Sequence, residues 1–166
     1  ALPPGLSLAG TSDRALKKAE SVENRGWYFD LLLMEKHRLK DSTPMTPVLP
    51  LIYALDFQLE RIFTEGLEAR FQRHTAMSQK VYSWMESHGL KPYPADNCRS
   101  RTVATINNDK NWAIGDLNKF LMQKGMRIAN GYGAIKDVTF RIATMGETSL
   151  ADVDALLSAL EEYLQL

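Results

Sequence analysis

The spacing of apolar residues predicts three long helices. They cover about residues 48–65, residues 67–88 and the segment that follows Ser149 to the end of the chain. In each, apolar residues recur every three or four positions and therefore share one face. Gly66 and Gly89 are suited to end the first two helices, and Ser149 is suited to cap the third. The apolar stripe of the first helix consists of Leu51, Leu55, Leu59 and Ile62.

Between the second and third helices the pattern changes to that of a small sheet. Residues 102–106 and 138–143 are rich in β-branched and aromatic residues and are predicted strands, as are residues 126–129. Residues 114–124 have the spacing of a helix. This order predicts an α+β layer: a three- to four-stranded, mostly antiparallel sheet with helices on one face.

The first 47 residues contain shorter predicted elements. Residues 5–9 alternate apolar and small polar residues, which indicates a strand. Residues 13–20 are predicted as a helix, and residues 27–34 as a short buried helix with an aromatic start. The two prolines in residues 41–47 favour an extended loop, because a residue before proline avoids the helical region.

Composition and charge narrow the function. Twenty basic and twenty acidic residues give a net charge of zero, which disfavours nucleic acid as a partner. The only cysteine, Cys98, excludes an internal disulfide and a cysteine-based zinc site, so we expect a reducing compartment, the cytoplasm, and no bound metal. There is no apolar run of about eighteen residues, so no membrane span is expected.

Several motifs have both a chemical and a purely structural interpretation. Gly131-Tyr132-Gly133 is followed by a predicted strand, whereas a phosphate loop precedes a helix, so a loop connection is favoured. Cys98 lies beside Arg99 but has no histidine near it in sequence, which favours an incidental loop cysteine. Residues 43–47 precede a helix and could bind an anion, although ordinary capping is the commoner case. His74 falls on the apolar face of a helix and is predicted to be a hydrogen-bonded core or interface histidine.

Arg141 is the most informative charged residue. It stands inside the apolar strand segment Thr139-Phe140-Arg141-Ile142-Ala143. An arginine there is suited to bind a carboxylate through two hydrogen bonds, or it lies on the solvent face of the sheet. The residues alone leave these two alternatives open.

Four segments in the same order resemble the C-terminal half of a class V aminotransferase. This family belongs to the fold type I superfamily of pyridoxal-phosphate enzymes, and the similarity is to its alanine–glyoxylate and serine–pyruvate branch. Residues 2–6 resemble the strand after the family's cofactor lysine, and residues 46–55 the loop and helix that reach the neighbouring subunit. Residues 65–74 resemble the start of the helix that enters the small domain, and residues 140–146 the closing strand.

The resemblance implies a division of the chain and a set of site residues. Residues 1–66 would be the end of the large domain, and residues 67–166 the C-terminal small domain. Arg141 matches the arginine that binds the substrate α-carboxylate. Thr46 matches a threonine that contacts the cofactor phosphate from the neighbouring subunit. Thr43 stands where a tyrosine often stands, which leaves that second phosphate contact open.

The resemblance also implies what the chain lacks. The cofactor lysine is expected just upstream of Ala1, on an N-terminal half, so no catalytic residue is assigned here. The complete enzyme would be a homodimer that moves an amino group between a small amino acid (alanine-, serine- or aspartate-like) and a 2-oxo acid such as glyoxylate or pyruvate. The alternatives are a non-enzymatic binding or subunit-interaction module, or one chain of a split enzyme.

Overall fold

The computed structural model describes residues 2–166 and divides into two units, residues 2–61 and Ile62–Leu166. The first unit contains helices α1 (Asp13–Glu20) and α2 (Leu31–Arg38). Helix α3 (Leu49–Glu65) begins in the first unit and ends in the second. No helix within residues 2–166 has the length and apolar character needed to cross a bilayer.

The N-terminal segment differs from its prediction. Residues 5–9 form no strand, although their alternation is correct for one. A strand is stable only when its backbone is paired, and no strand of the described chain pairs with this segment. Helix α1 starts where predicted, because the Ser12 hydroxyl accepts a hydrogen bond from Ala15 N at 3.3 Å.

Helix α2 starts later than the aromatic residues that were expected to open it. The Asp30 carboxylate caps the helix by accepting from the backbone N–H groups of Leu32 and Leu33. Arg25 holds that carboxylate through a 3.0 Å ion pair. Trp27, Tyr28 and Phe29 therefore precede the helix and are exposed, so the expectation of a buried helix over residues 27–34 is wrong.

Helix α3 has nearly the predicted bounds, but its leucine stripe is not a buried core. Leu51 and Leu55 are half-buried, Leu59 is exposed, and Gln58 is the one buried residue of the helix. Gly66 ends the helix with φ at +86°, a backbone conformation that glycine adopts without strain.

The second unit is built on a three-stranded antiparallel sheet. Its strands are β1 (Val103–Asn107), β2 (Ala129–Asn130) and β3 (Thr139–Ala143), in the order β1-β3-β2. The central strand β3 places Arg141 opposite Thr105 of β1 and opposite Ala129 of β2.

Three helices bury one face of this sheet. They are α4 (Leu67–Ser87), α5 (Ile114–Gln123) and α6 (Leu150–Leu164). Phe140 and Ile142 of β3 enter that core, while Arg141 between them does not. This confirms the predicted α+β layer with helices on one face. The helices contribute Met77, Val81, Trp84, Met85, Leu117, Leu121, Val153, Leu157 and Leu160 to the core.

The predicted strand over residues 126–129 is largely wrong, because the pairing of β2 covers only Ala129 and Asn130. The Asn118 side chain of α5 takes the place of a strand partner at Ile128. Its Nδ2 donates to Ile128 O and its Oδ1 accepts from Ile128 N, both at 2.9 Å. A side chain that satisfies both backbone groups removes the need for a sheet ladder there.

An ion-pair network fixes the loop that leaves β3. Arg73 and Arg70 of α4 both donate to the Glu65 carboxylate, at 2.6 and 2.7 Å. The same two guanidinium groups donate to the backbone oxygen of Gly146, and Arg73 also donates to that of Thr148. We call Glu65, Arg70 and Arg73 the loop-anchoring network. Hydrogen bonds from Arg73, followed by those from Arg70, lower the pKa of Glu65 from 4.5 to about 2.

The lowered pKa of Glu65 predicts an acid-dependent loss of stability. Because the folded pKa lies below the unfolded one, this carboxylate stabilises the fold above about pH 4.5 and ceases to do so as the pH falls toward 2. Glu65→Gln should therefore lower the free energy of unfolding at pH 7, and the difference from wild type should shrink below pH 4.5.

Chemical denaturation at several pH values measures this difference. Glu68→Gln is the matched control, since Glu68 lies in the first turn of α4 and accepts only from Gln72 in the described structure. A Glu65→Gln deficit that stays constant from pH 7 to pH 3 would contradict the assigned pKa.

Candidate substrate-binding site

Arg141 lies on the face of the sheet that the helices leave uncovered. Alternation along β3 directs Phe140 and Ile142 into the core and Arg141 to the opposite side. Its side chain is half-buried, and its Nε and Nη2 donate to Asn130 O at 3.0 and 2.9 Å. The neighbouring strand therefore holds the guanidinium in one orientation.

The other edge of the guanidinium has no protein partner. Within residues 2–166, Nη1 of Arg141 donates to no atom, and Arg141 forms no ion pair with a carboxylate. An arginine held at Nε and Nη2 by a neutral carbonyl keeps its full positive charge and retains Nη1 for a ligand. This arrangement suits binding of an anion, and a carboxylate in particular.

A cavity of about 590 Å³ surrounds this guanidinium. Its polar lining consists of two arginines, Arg127 and Arg141, and two asparagines, Asn118 and Asn130. No aspartate or glutamate lines it, so the positive charge is not compensated within the cavity. The remaining lining residues are apolar or glycine: Val103, Ile128, Ala129, Gly131, Ala143 and Met145.

The carbonyl that orients Arg141 is itself fixed by its own side chain. Asn130 Oδ1 accepts from the backbone N–H groups of Gly131 and Asp137, at 2.7 and 3.0 Å, and its Nδ2 donates to the Asp137 carboxylate. Thus a short loop between β2 and β3 closes on Asn130. The sequence analysis assigned no role to Asn130 or to Arg127. No local pattern indicates Arg127, because it lies just outside the paired residues of β2.

Gly131 belongs to this loop and is not part of a phosphate-binding loop. A Cβ atom at Gly131 would lie 1.9 Å from Ile135 O, so only glycine fits. The segment after it is a three-residue turn, Gly133–Ile135, that leads into β3 rather than into a long helix. The glycines therefore permit close packing of the loop, in agreement with the interpretation as a connection.

The two threonines before α3 differ in their hydrogen bonding. The Thr43 hydroxyl donates its proton to Met45 O at 2.5 Å, so it has no proton left for a phosphate oxygen. Thr46 is exposed, and its hydroxyl makes no hydrogen bond within the described residues. Of the two, only Thr46 is free to donate to a phosphate group. Thr46 lies in the first unit and Arg141 in the second.

The remaining candidates have ordinary structural partners. His74 Nδ1 lies 2.7 Å from Thr144 O, as a hydrogen-bonded histidine of a packed helix should. Cys98 is exposed and its thiol donates to Asn97 Oδ1, while Arg99 is paired with Asp96 and Glu86. In residues 2–166, no three histidine, cysteine or acidic side chains come together in a way that could hold a metal ion.

Comparison with known proteins identifies relatives for almost the full chain. Alanine–glyoxylate aminotransferase of Oryctolagus cuniculus is 32% identical over 173 residues, which covers 98% of this chain and 44% of that protein. A protein named the small subunit of a soluble hydrogenase, from a Synechococcus strain, is 33% identical over 165 residues and covers 98% of this chain and 42% of its own length. The same stretch of this chain thus accounts for both similarities. No family model matches.

The fold leads to the same group of proteins. Aspartate aminotransferase of subgroup IV from Thermus thermophilus superposes with a TM-score of 0.79 at 26% sequence identity, over 93% of this chain and 42% of that one. The chain therefore spans about two fifths of the length of the proteins it matches.

The site thus consists of a half-buried arginine in a cavity without acidic residues, on a small antiparallel sheet with helices on one face. The chain that contains this site has aminotransferase relatives over nearly its full length. Enzymes of that family depend on pyridoxal phosphate. The chain is related to the C-terminal portion of class V aminotransferases and has the fold of the pyridoxal-phosphate enzymes of fold type I.

Proposed function

We propose that this chain is the C-terminal portion of a pyridoxal-phosphate aminotransferase. The complete enzyme moves an amino group between a small amino acid, such as alanine, serine or aspartate, and a 2-oxo acid such as glyoxylate or pyruvate. Residues 1–66 complete the large domain, and residues 67–166 form the small domain. The observation that carries the proposal is the partly liganded Arg141 guanidinium in a cavity without acidic residues.

Arg141 binds and orients the substrate in this proposal. Asn130 O occupies Nε and Nη2, so the α-carboxylate is bound at the Nη1 edge. A fixed guanidinium loses little conformational freedom on binding, and a charge-assisted hydrogen bond is about twice as strong as a neutral one. Because every amino acid and 2-oxo acid has this carboxylate, the same arginine serves both half-reactions.

Thr46 contributes to the cofactor site of a neighbouring subunit. Its exposed hydroxyl and the backbone before α3 are suited to donate to a phosphate. When bound, pyridoxal phosphate supplies the electron sink for amino transfer. This proposal requires two partners. One is an N-terminal half that carries the cofactor lysine, and the other is a second copy of the enzyme, which forms the homodimer.

The surface of α3 in the first unit supports a subunit contact. Ile52, Tyr53 and Phe57 of α3 are exposed, with 71% of Tyr53 and 61% of Phe57 accessible, and Tyr53 and Phe57 are neighbours on the helix surface at a spacing of four residues. Aromatic side chains exposed side by side on a helix are typical of a protein interface. The same surface would serve a non-enzymatic interaction module, whereas the Arg141 cavity favours the enzyme. The free Cys98 supports a cytoplasmic location.

Replacing Arg141 with lysine in the complete enzyme tests the proposal. Loss of one charge-assisted hydrogen bond costs roughly 1.5–3 kcal/mol, or about ten- to a hundredfold in kcat/KM. The loss should be similar for alanine and for aspartate, because both present the α-carboxylate.

The control for this substitution is Arg101→Lys, at an exposed arginine that does not line the cavity. Its kcat/KM should equal that of wild type with both donors. If Arg141→Lys also reacts at the wild-type rate with both donors, Arg141 does not bind the α-carboxylate, and the proposed function loses its principal support.

A second expectation concerns the lysines of this chain. Amine attack on a carbonyl requires an uncharged lysine, which enzymes obtain by desolvation or a neighbouring cation. Here Lys80, Lys119 and Lys124 instead pair with carboxylates, and the Asp116 carboxylate raises the pKa of Lys119. Pyridoxal phosphate followed by borohydride should give no stoichiometric adduct at any one lysine. Mass analysis of the 166-residue chain that finds such an adduct would place the cofactor lysine within these residues.

A further inference from the structure

The cavity around Arg141 contains more positive charge than one carboxylate requires. A single guanidinium is enough to bind the α-carboxylate of an amino acid. A second one, that of Arg127, lines the same cavity of about 590 Å³. The volume also exceeds what one carboxylate occupies, so the cavity has room for a side chain that carries a further polar group.

Arg127 lines this cavity just before β2 begins. Ala129 of β2 lies directly opposite Arg141 of β3. Arg127 stands two positions before Ala129, and both residues are exposed and line the cavity. The intervening Ile128 is buried in the core of the unit, and the Asn118 side chain fixes its backbone. The arrangement of this segment therefore holds Arg127 on the cavity side.

Neither arginine is neutralised by the described protein. Arg127 is exposed and its side chain takes part in no hydrogen bond or ion pair within residues 2–166, while the Arg141 guanidinium donates only to the carbonyl of Asn130. Other arginines of the same unit, such as Arg70, Arg73 and Arg99, are paired with carboxylates. Two unpaired guanidinium groups in one acid-free cavity form a site for a ligand with two negative charges.

We propose that Arg127 determines substrate specificity by binding the side-chain carboxylate of a dicarboxylic substrate. The site then favours an aspartate-like amino acid and the corresponding 2-oxo diacid over alanine or serine. This inference rests on the proposed function, in which Arg141 binds the α-carboxylate. It adds the class of substrate, which the family relation leaves open among alanine-, serine- and aspartate-type donors.

Binding of simple acids separates this role from catalysis. Succinate and butyrate have the same number of carbon atoms but differ by one carboxylate, so their ratio of dissociation constants reports the second binding group. Titration of the isotopically labelled 166-residue chain, followed by NMR, measures both constants without turnover. We expect succinate to bind about fivefold more tightly than butyrate, as is typical of a partly exposed ion pair.

Two substitutions at Arg127 and one control test the assignment. Arg127→Gln should reduce the succinate preference to near one, and Arg127→Lys should retain part of it, because the charge remains. Arg101→Gln, at an exposed arginine outside the cavity, should leave the preference unchanged. Because Arg127 is exposed and unpaired, the spectra of its variants should otherwise be those of the folded wild type.

The outcomes for Arg127 and for the proposed function are distinguishable. An unchanged preference in Arg127→Gln, or the absence of saturable succinate binding, overturns the proposal for Arg127. The proposal for Arg127 is supported if Arg141→Lys weakens the binding of succinate and butyrate to a similar extent, while Arg127→Gln abolishes the preference for succinate. A complete enzyme without amino-transfer activity would overturn the proposed function. The ratio of the dissociation constants of succinate and butyrate would still show whether Arg127 binds a second carboxylate.

Discussion

The sheet of the second unit is buried on one face only, and this constraint determines where chemistry is possible. Helices α4, α5 and α6 cover one side of β1-β3-β2, so every second residue of the central strand enters an apolar core. Phe140 and Ile142 are fully buried there. The residue between them points away from the helices, and in this chain that residue is Arg141. A cation at the centre of a sheet is tolerable because it faces the open side and because Asn130 O solvates two of its nitrogens.

The surroundings of Arg141 are fixed by side chains that bond to backbone groups. Asn118 takes the place of a strand partner at Ile128, and Asn130 closes the loop between β2 and β3. The loop-anchoring network of Glu65, Arg70 and Arg73 fixes the chain that leaves β3 at Gly146 and Thr148. Met145, which lines the cavity, lies in that anchored loop. The site therefore depends on contacts that are distant in sequence, and each of them immobilises backbone rather than binding the ligand itself.

The sequence was sufficient for those elements whose signal is local. The bounds of α1, α4 and α6 follow from caps and glycines. Ser149 caps α6 as expected, and Asp152 completes a capping box with it. Strand β3 is recognisable from its β-branched and aromatic residues, and the neighbouring strands β1 and β2 supply the backbone pairing that it requires. The failures at residues 5–9 and 126–129 share a cause. Strand formation depends on a partner, which is absent from the described chain in the first case and is the Asn118 side chain in the second.

The site was predictable to a similar degree. Arg141 is conspicuous because a charge interrupts an apolar strand, and the resemblance to aminotransferases assigned its role. Arg127 lies in a segment whose β pattern ends early, so its side of the sheet is evident only once Ala129 is seen opposite Arg141. The lack of acidic residues around the two arginines is a property of the folded chain, since Asp137 stands near Arg141 in sequence but does not line the cavity.

A crystal structure of the complete protein with a bound 2-oxo diacid is the most direct test of this account. It should show one carboxylate of the ligand within hydrogen-bond distance of Arg141 Nη1, with Nε and Nη2 still bonded to Asn130 O. A ligand bound elsewhere, with the Nη1 edge of Arg141 paired to a protein carboxylate from the rest of the polypeptide, would contradict the assignment of Arg141 as the carboxylate-binding residue.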